Sequence, residues 1–331
     1  MPTSLLFRAA SARPRHTLIA AAFALLSASA GASFSAHAAA PSAASCGSAP
    51  SGELSAQRIV AANAAGGEPG LYEGPVWIGG ALYFSDFRFG PGFPSRIQKL
   101  GADGVLRTAI ADSGSNGLAV DARGDIVAAT HKYKGLSRFK LADGKRHLVV
   151  GQYRGQVFNS PNDLTIAGDG TMYFTDPDFQ RAAAPGGQAS TNVYRLAASG
   201  ALSVVDAGIA NPNGIALSPR GDVLYVAGGG EQGFVRAYPV VHGVPGAGRD
   251  LVRGVSVPDG MAVDCHGNLY VTEHTARRIR VFSPGGKQLA TIKVDANVTN
   301  AAFGGADGKT LFITGAGAVW QLKLDVTGSA Y

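Results

Sequence analysis

Six times along the chain a polar residue heads an apolar run, a glycine-bearing turn and a second apolar run. The units are EGPVWIGGALYFSD from Glu73, SNGLAVDARGDIVAAT from Ser115, SPNDLTIAGDGTMYFTD from Ser160, NPNGIALSPRGDVLYVA from Asn211, VPDGMAVDCHGNLYVTEH from Val257 and VTNAAFGGADGKTLFITG from Val298. Their second runs begin at Leu82, Ile126, Met172, Leu224, Leu269 and Leu311, so successive units lie 42 to 52 residues apart. A period in the forties built from strands marks a β-propeller. One blade cannot bury both faces of its sheet, so neighbours must stack around an axis. The expectation is an all-β, six-bladed β-propeller.

Composition agrees. Glycine is abundant (46 of 331 residues) and charge is low (16%), which suits short strands and tight turns. Segments such as RIQKL, GLSRFKL, NVYRLA, FVRAYPV and RIRVFS supply outer strands. LSAQRIVAAN (54–63) is a strand without a blade of its own, and it is expected to join the last blade beside AVWQLKL, closing the ring from both ends. Trp77 and Trp320 read as packing residues between blades.

The first 38 residues stand apart. Arg8, Arg13 and Arg15 precede an apolar run, 18–31, too short to span a bilayer comfortably, and Ala36-His37-Ala38 is a small-x-small cleavage pattern. This reads as a signal peptide, followed by a flexible leader over 39–53 and the propeller over 54–331. The mature chain is expected in the periplasm or secreted, without a membrane anchor. Cleavage lowers the formal charge from +6 to +3, and the remaining basic residues are scattered, so nucleic acid is not an expected partner. A ring-closed propeller can act as a monomer. Cys46 and Cys265 remain, and an even count in an exported protein permits a disulfide.

The residues heading the units are Glu73, Asn116, Asn162, Asn213, Asp259 and Asn300. If they sit on innermost strands, they converge on the axis. Singly, Asn-Gly and Asp-Gly are ordinary turn dipeptides; in phase, they make a ring of oxygen donors with two carboxylates. Such a set suits Ca2+, with Mg2+, Mn2+ or Zn2+ as substitutes. His131 and His274 follow second runs and read as loop residues. Asp176 reads as a strand-end cap. No GxSxG elbow is present, which disfavours a serine nucleophile.

Glu73-Gly74-Pro75-Val76-Trp77, Ser160-Pro161-Asn162-Asp163, Pro212-Asn213-Gly214, Pro258-Asp259-Gly260-Met261 and Thr299-Asn300-Ala301-Ala302-Phe303-Gly304-Gly305 resemble the motifs of the SMP-30/gluconolactonase (regucalcin-like) family, from about residue 56 to 326. The resemblance implies a metal-dependent lactonase acting on a small-molecule lactone, with gluconolactone the first sugar lactone to expect. It implies Glu73, Asn162, Asn213 and Asp259 as metal ligands and an acid/base role for Asp259. Asn116, Ser160 and Asn300 are the expected substrate contacts. Some sugar-lactone members have Arg where this chain has Ser160, which leaves the aldonolactone preference open. The alternative is a non-catalytic propeller binding a ligand or partner, a class that usually lacks the axial carboxylates kept here.

Overall fold

The structure, a computed structural model, describes residues 46–61 and 70–329. Residues 1–38, read as a signal peptide, lie outside the described residues. Six antiparallel sheets follow one another along the chain: blade one over 71–110, blade two over 115–150, blade three over 164–206, blade four over 215–255, blade five over 258–293 and blade six over 298–323. These are the six units of the sequence, in order. Among the described residues no helix is long and apolar enough to cross a membrane.

The apolar alternation along each strand does not build one central core. It builds a wedge of side chains at each seam between blades. Val76, Tyr83 and Ile97 meet Leu118 and Ile126 between blades one and two, and Val226 and Tyr238 meet Tyr173 and Val193 between blades three and four. Each buried large side chain in such a wedge contributes roughly 1.5–3 kcal/mol relative to exposure.

The seam between blades six and one decides whether the ring shuts. Two N-terminal strands serve it, β1 (Gly52–Ser55) and β2 (Gln57–Val60). β2 pairs antiparallel with Val319–Lys323 and becomes the outer strand of blade six, as expected from the sequence. Its Val60 joins Tyr72, Phe84, Phe312 and Val319 in the wedge, where Trp77 of blade one stacks on Phe312 of blade six at 5.2 Å. Trp320 is fully buried in the neighbouring wedge, and its Nε1–H donates to Asp295 Oδ1 (2.7 Å).

β1 differs from expectation. It lies parallel to Gln288–Lys293 and extends blade five instead. The Cys46–Cys265 disulfide ties the segment just before it to the same blade, with a sequence separation of 219. Thr327 N–H donates to Cys46 O (3.0 Å) and His266 Nε2 lies 2.7 Å from Gly47 O. The segment read as a flexible leader is therefore held at Cys46–Ser48 and again from Gly52, because its backbone finds a free sheet edge and its one cysteine finds a partner.

Reducing this disulfide, or making Cys265→Ser, should lower the unfolding free energy by about 2–5 kcal/mol. Thermal unfolding with and without reductant reads this directly. An unchanged midpoint would mean that strand pairing alone holds the N-terminal segment.

Candidate active site

Each blade begins at its innermost strand, and in blades one, two, five and six the regular pairing breaks there. Register shifts fall between Glu73 and Val76, Ser115 and Leu118, Pro258 and Met261, and Val298 and Asn300. A bulge of this kind re-aims a side chain. Glu73, Asn116, Asp259 and Asn300 sit at these breaks, while Asn162 and Asn213 stand just before the regularly paired strands of blades three and four.

The glycine that follows several of them is not there to turn the chain. Gly117 N–H donates to Asn162 O at 2.8 Å, and Gly214 N–H to Asp259 O at 3.1 Å. A Cβ on Gly117 would lie 2.6 Å from that same Asn162 oxygen, and one on Gly214 would lie 2.1 Å from Asp259 O. Innermost strands therefore meet backbone to backbone, and only glycine admits the approach.

Glu73, Asn116, Asn162, Asp259 and Asn300 are buried and Asn213 is half-buried. Asn300 reaches across the ring: its Nδ2 donates to Glu73 Oε2 of blade one (3.1 Å) and to Asp163 Oδ2 beside blade three (3.3 Å). Glu73 Oε2 also accepts Gly74 N–H at 2.7 Å. Asp163 stands in the Ser160–Asp163 motif but is not among the expected site residues. The signal was present: five units carry Gly or Ala after the ring residue, and this unit carries a carboxylate.

Three carboxylates thus share one buried space. Burial, then the charges of Asp259 and Asp163, holds the Glu73 carboxyl well above its ordinary value. Burial pushes Asp163 up to about 7, against the opposing hydrogen bonds from Leu164 N–H and Asn300. Asn213 Oδ1 and Asn116 Oδ1 are buried without a hydrogen-bond partner among the described residues. Carboxylates in mutual repulsion and an amide oxygen with no donor are what a hard cation would satisfy. Glu73, Asn162, Asn213 and Asp259 offer only oxygen, so the residues present fit a divalent ion of that kind.

The two histidines are more than loop residues. His274 Nδ1 donates to Val298 O (2.7 Å) and stands 3.5 Å from Asp259 Oδ2. Burial works to lower its pKa, but the Asp259 carboxylate outweighs this and raises it. His131 occupies the corresponding place in blade two, fully buried, with Asn116 Nδ2 donating to its Nε2 at 3.4 Å. Burial, helped by the Lys134 charge, lowers its pKa to about 3, so it is a neutral ring. A strand-turn-strand unit folded as a hairpin puts the end of its second strand beside the start of its first, which brings both histidines to the ring.

Ser160 lies apart from the ring side chains. It is fully buried; its Oγ donates to Pro177 O (2.6 Å) and accepts from Gln180 N–H (3.3 Å). Asp176 accepts the N–H groups of Asn159 (3.0 Å) and Ser160 (2.8 Å), which fixes the approach to Asn162. Burial pushes Asp176, too, up to about 7.

A raised carboxyl pKa means the folded state holds its proton more tightly than the unfolded one. The associated stability is full below about pH 4 and is lost as pH rises through about 7. In chelator, Asp163→Asn should therefore unfold at a higher temperature than wild type at pH 8, with the gap closing toward pH 4. A gap that widens on acidification would contradict this electrostatic account.

Comparison with known proteins places this geometry. The SMP-30/Gluconolactonase/LRE-like region family matches residues 71–317. A gluconolactonase of Zymomonas mobilis is 31% identical over 290 residues, 77% of this chain and 79% of its own. The solved structure of XC5397 from Xanthomonas campestris, described as a gluconolactonase, superposes with a TM-score of 0.70 at 31% identity, covering 84% of this chain and all (100%) of that one. A calcium-binding regucalcin of Agrobacterium tumefaciens shares the fold, with a TM-score of 0.69 at 20% identity over 85% of this chain and 97% of its own. The chain belongs to the SMP-30/gluconolactonase/LRE-like family.

Proposed function

We propose that the chain hydrolyses a lactone at a divalent-cation site formed by Glu73, Asn162, Asn213 and Asp259. The observation that carries this reading is the buried ring itself: carboxylates held in repulsion beside an amide oxygen, Asn213 Oδ1, without a partner. The gluconolactonases among its relatives support the reaction class, and gluconolactone is the first substrate to test. Calcium is the first ion to test, on the hardness of the donors. Such an ion would supply a Lewis acid for the ester carbonyl and raise the acidity of the attacking water.

The chain's own residues do the rest. Asp259 accepts the proton of the attacking water and returns it to the leaving alkoxide. His274, anchored on Val298 O, keeps the Asp259 carboxylate oriented and limits its rotation. Asn116 offers its amide at the ring for the substrate's oxygens, while Asn300 spends both Nδ2 hydrogens on Glu73 and Asp163 and ties the two carboxyls together. Ser160 acts through its backbone, holding the segment that presents Asn162. The disulfide supports the expectation that the mature protein works in an oxidising compartment, periplasmic or extracellular.

Asp259→Asn should keep the fold and lower kcat by at least about 100-fold, the scale of a lost general base. Acid release from gluconolactone, with chelator and with calcium added back, is the assay. Turnover lost on chelation and restored by calcium supports the proposal, and wild-type rates from Asp259→Asn overturn the assignment. Cation binding without turnover of any lactone would favour the non-catalytic propeller.

A further inference from the structure

We propose that Asn300 is a positioning residue for the cation: it sets the affinity of the site by holding Glu73 ready to ligate, and it touches neither cation nor substrate itself. The inference rests on the cation site proposed above and adds a residue to it. Every polar atom of the Asn300 amide is already engaged. Oδ1 accepts Ala301 N–H at 2.8 Å, and the two Nδ2 hydrogens go to Glu73 Oε2 (3.1 Å) and Asp163 Oδ2 (3.3 Å). These partners fix which way the amide faces. Turned over, it would set an N–H against Ala301 N–H and its oxygen against two carboxyl groups. The amide therefore directs its donors into the ring and keeps its oxygen on its own strand.

The ring is built to seat this amide. Gly260, next to Asp259, has no side chain where the amide lies. A Cβ there would fall 2.0 Å from Asn300 Cγ and 2.4 Å from Nδ2, so only glycine leaves the room. Thr272 Oγ1 of blade five lies 2.8 Å from both Gly260 O and Thr299 O. One hydroxyl thus holds the seat and the strand that delivers the amide to it.

What the amide does follows from its two partners. Ionised carboxyl groups in one buried space repel, and a free Glu73 side chain would turn away. Glu73 Oε2 instead takes Gly74 N–H (2.7 Å) and Asn300 N–H together, which leaves Oε1 as the oxygen this carboxyl can turn to a cation. Hydrogen bonds to an ionised acceptor are the strong kind, and a donor set fixed beforehand needs no ordering on binding. Asn116 and Asn213 differ from Asn300 in the decisive respect. Their buried Oδ1 atoms have no hydrogen-bond partner among the described residues, so they stay open to a ligand. Asn300 is the strut of the ring, and those two are its open donors.

The test is calorimetric titration of calcium into metal-free wild type, Asn300→Leu and Asn300→Ser, with magnesium, manganese and zinc to follow if calcium does not bind. Leucine keeps the volume over Gly260 and removes both donors, and serine serves if leucine is not tolerated. Circular dichroism checks the fold, and each titration is run well below the unfolding midpoint. The variants are expected to bind the cation at least about tenfold more weakly, the scale of a lost hydrogen bond to a charged group. Excess cation is then expected to restore kcat, with KM for gluconolactone unchanged. A substrate contact would instead raise KM or depress kcat at saturating cation, and a purely structural role would lower the midpoint and leave the cation Kd alone. Either result overturns the inference and leaves the cation site standing. A wild type that takes up none of the four ions overturns the cation reading itself, and the inference with it.

Discussion

The pairing of β2 with Val319–Lys323 is the contact on which the other seams depend. Six sheets stack around an axis only if the last is held to the first. The wedge that this pairing completes contains Val60 from β2 and Tyr72 and Phe84 from blade one. The same seam is crossed by the hydrogen bond from Asn300 to Glu73, so closure and site geometry are one event. A weakness at this seam would loosen the ring of donors before it unfolded any blade.

The ring also shows where function opposes stability. Glu73 and Asp163 are carboxyl groups in a buried space that favours their protonated form. Replacing them with apolar groups would relieve a desolvation cost. Their presence is understandable if a cation offsets the repulsion. Stability is recovered elsewhere: in the seam wedges and in the backbone contacts at Gly117 and Gly214.

Much of this was legible in the sequence because a propeller writes its geometry as a period. Strand-turn-strand units recur at a fixed phase, so the blade count, the ring and the closing role of residues near 57–60 can be read directly. What could not be read are contacts that join different units. Asp163 meets Asn300 over 137 residues, and Lys134 meets Gly186 over 52. His274 approaches Asp259 within one hairpin, and there the missing information was the side-chain contact and not the placement. The parallel placement of β1 on blade five has no local signature either, since an extended segment fits any free edge.

The strap formed by Cys46, β1 and β2 sets an order of assembly. Residues near the beginning of the described chain bond to blades five and six, so they must remain unpaired while most of the polypeptide is made. Contacts of such sequence separation form late and slow the overall reaction. The Cys46–Cys265 bond can close only once Cys265 has been made, 219 residues after its partner, so the strap is locked late in synthesis. During that interval the free N-terminal strand and the open edge of blade six are the surfaces through which one chain could capture another.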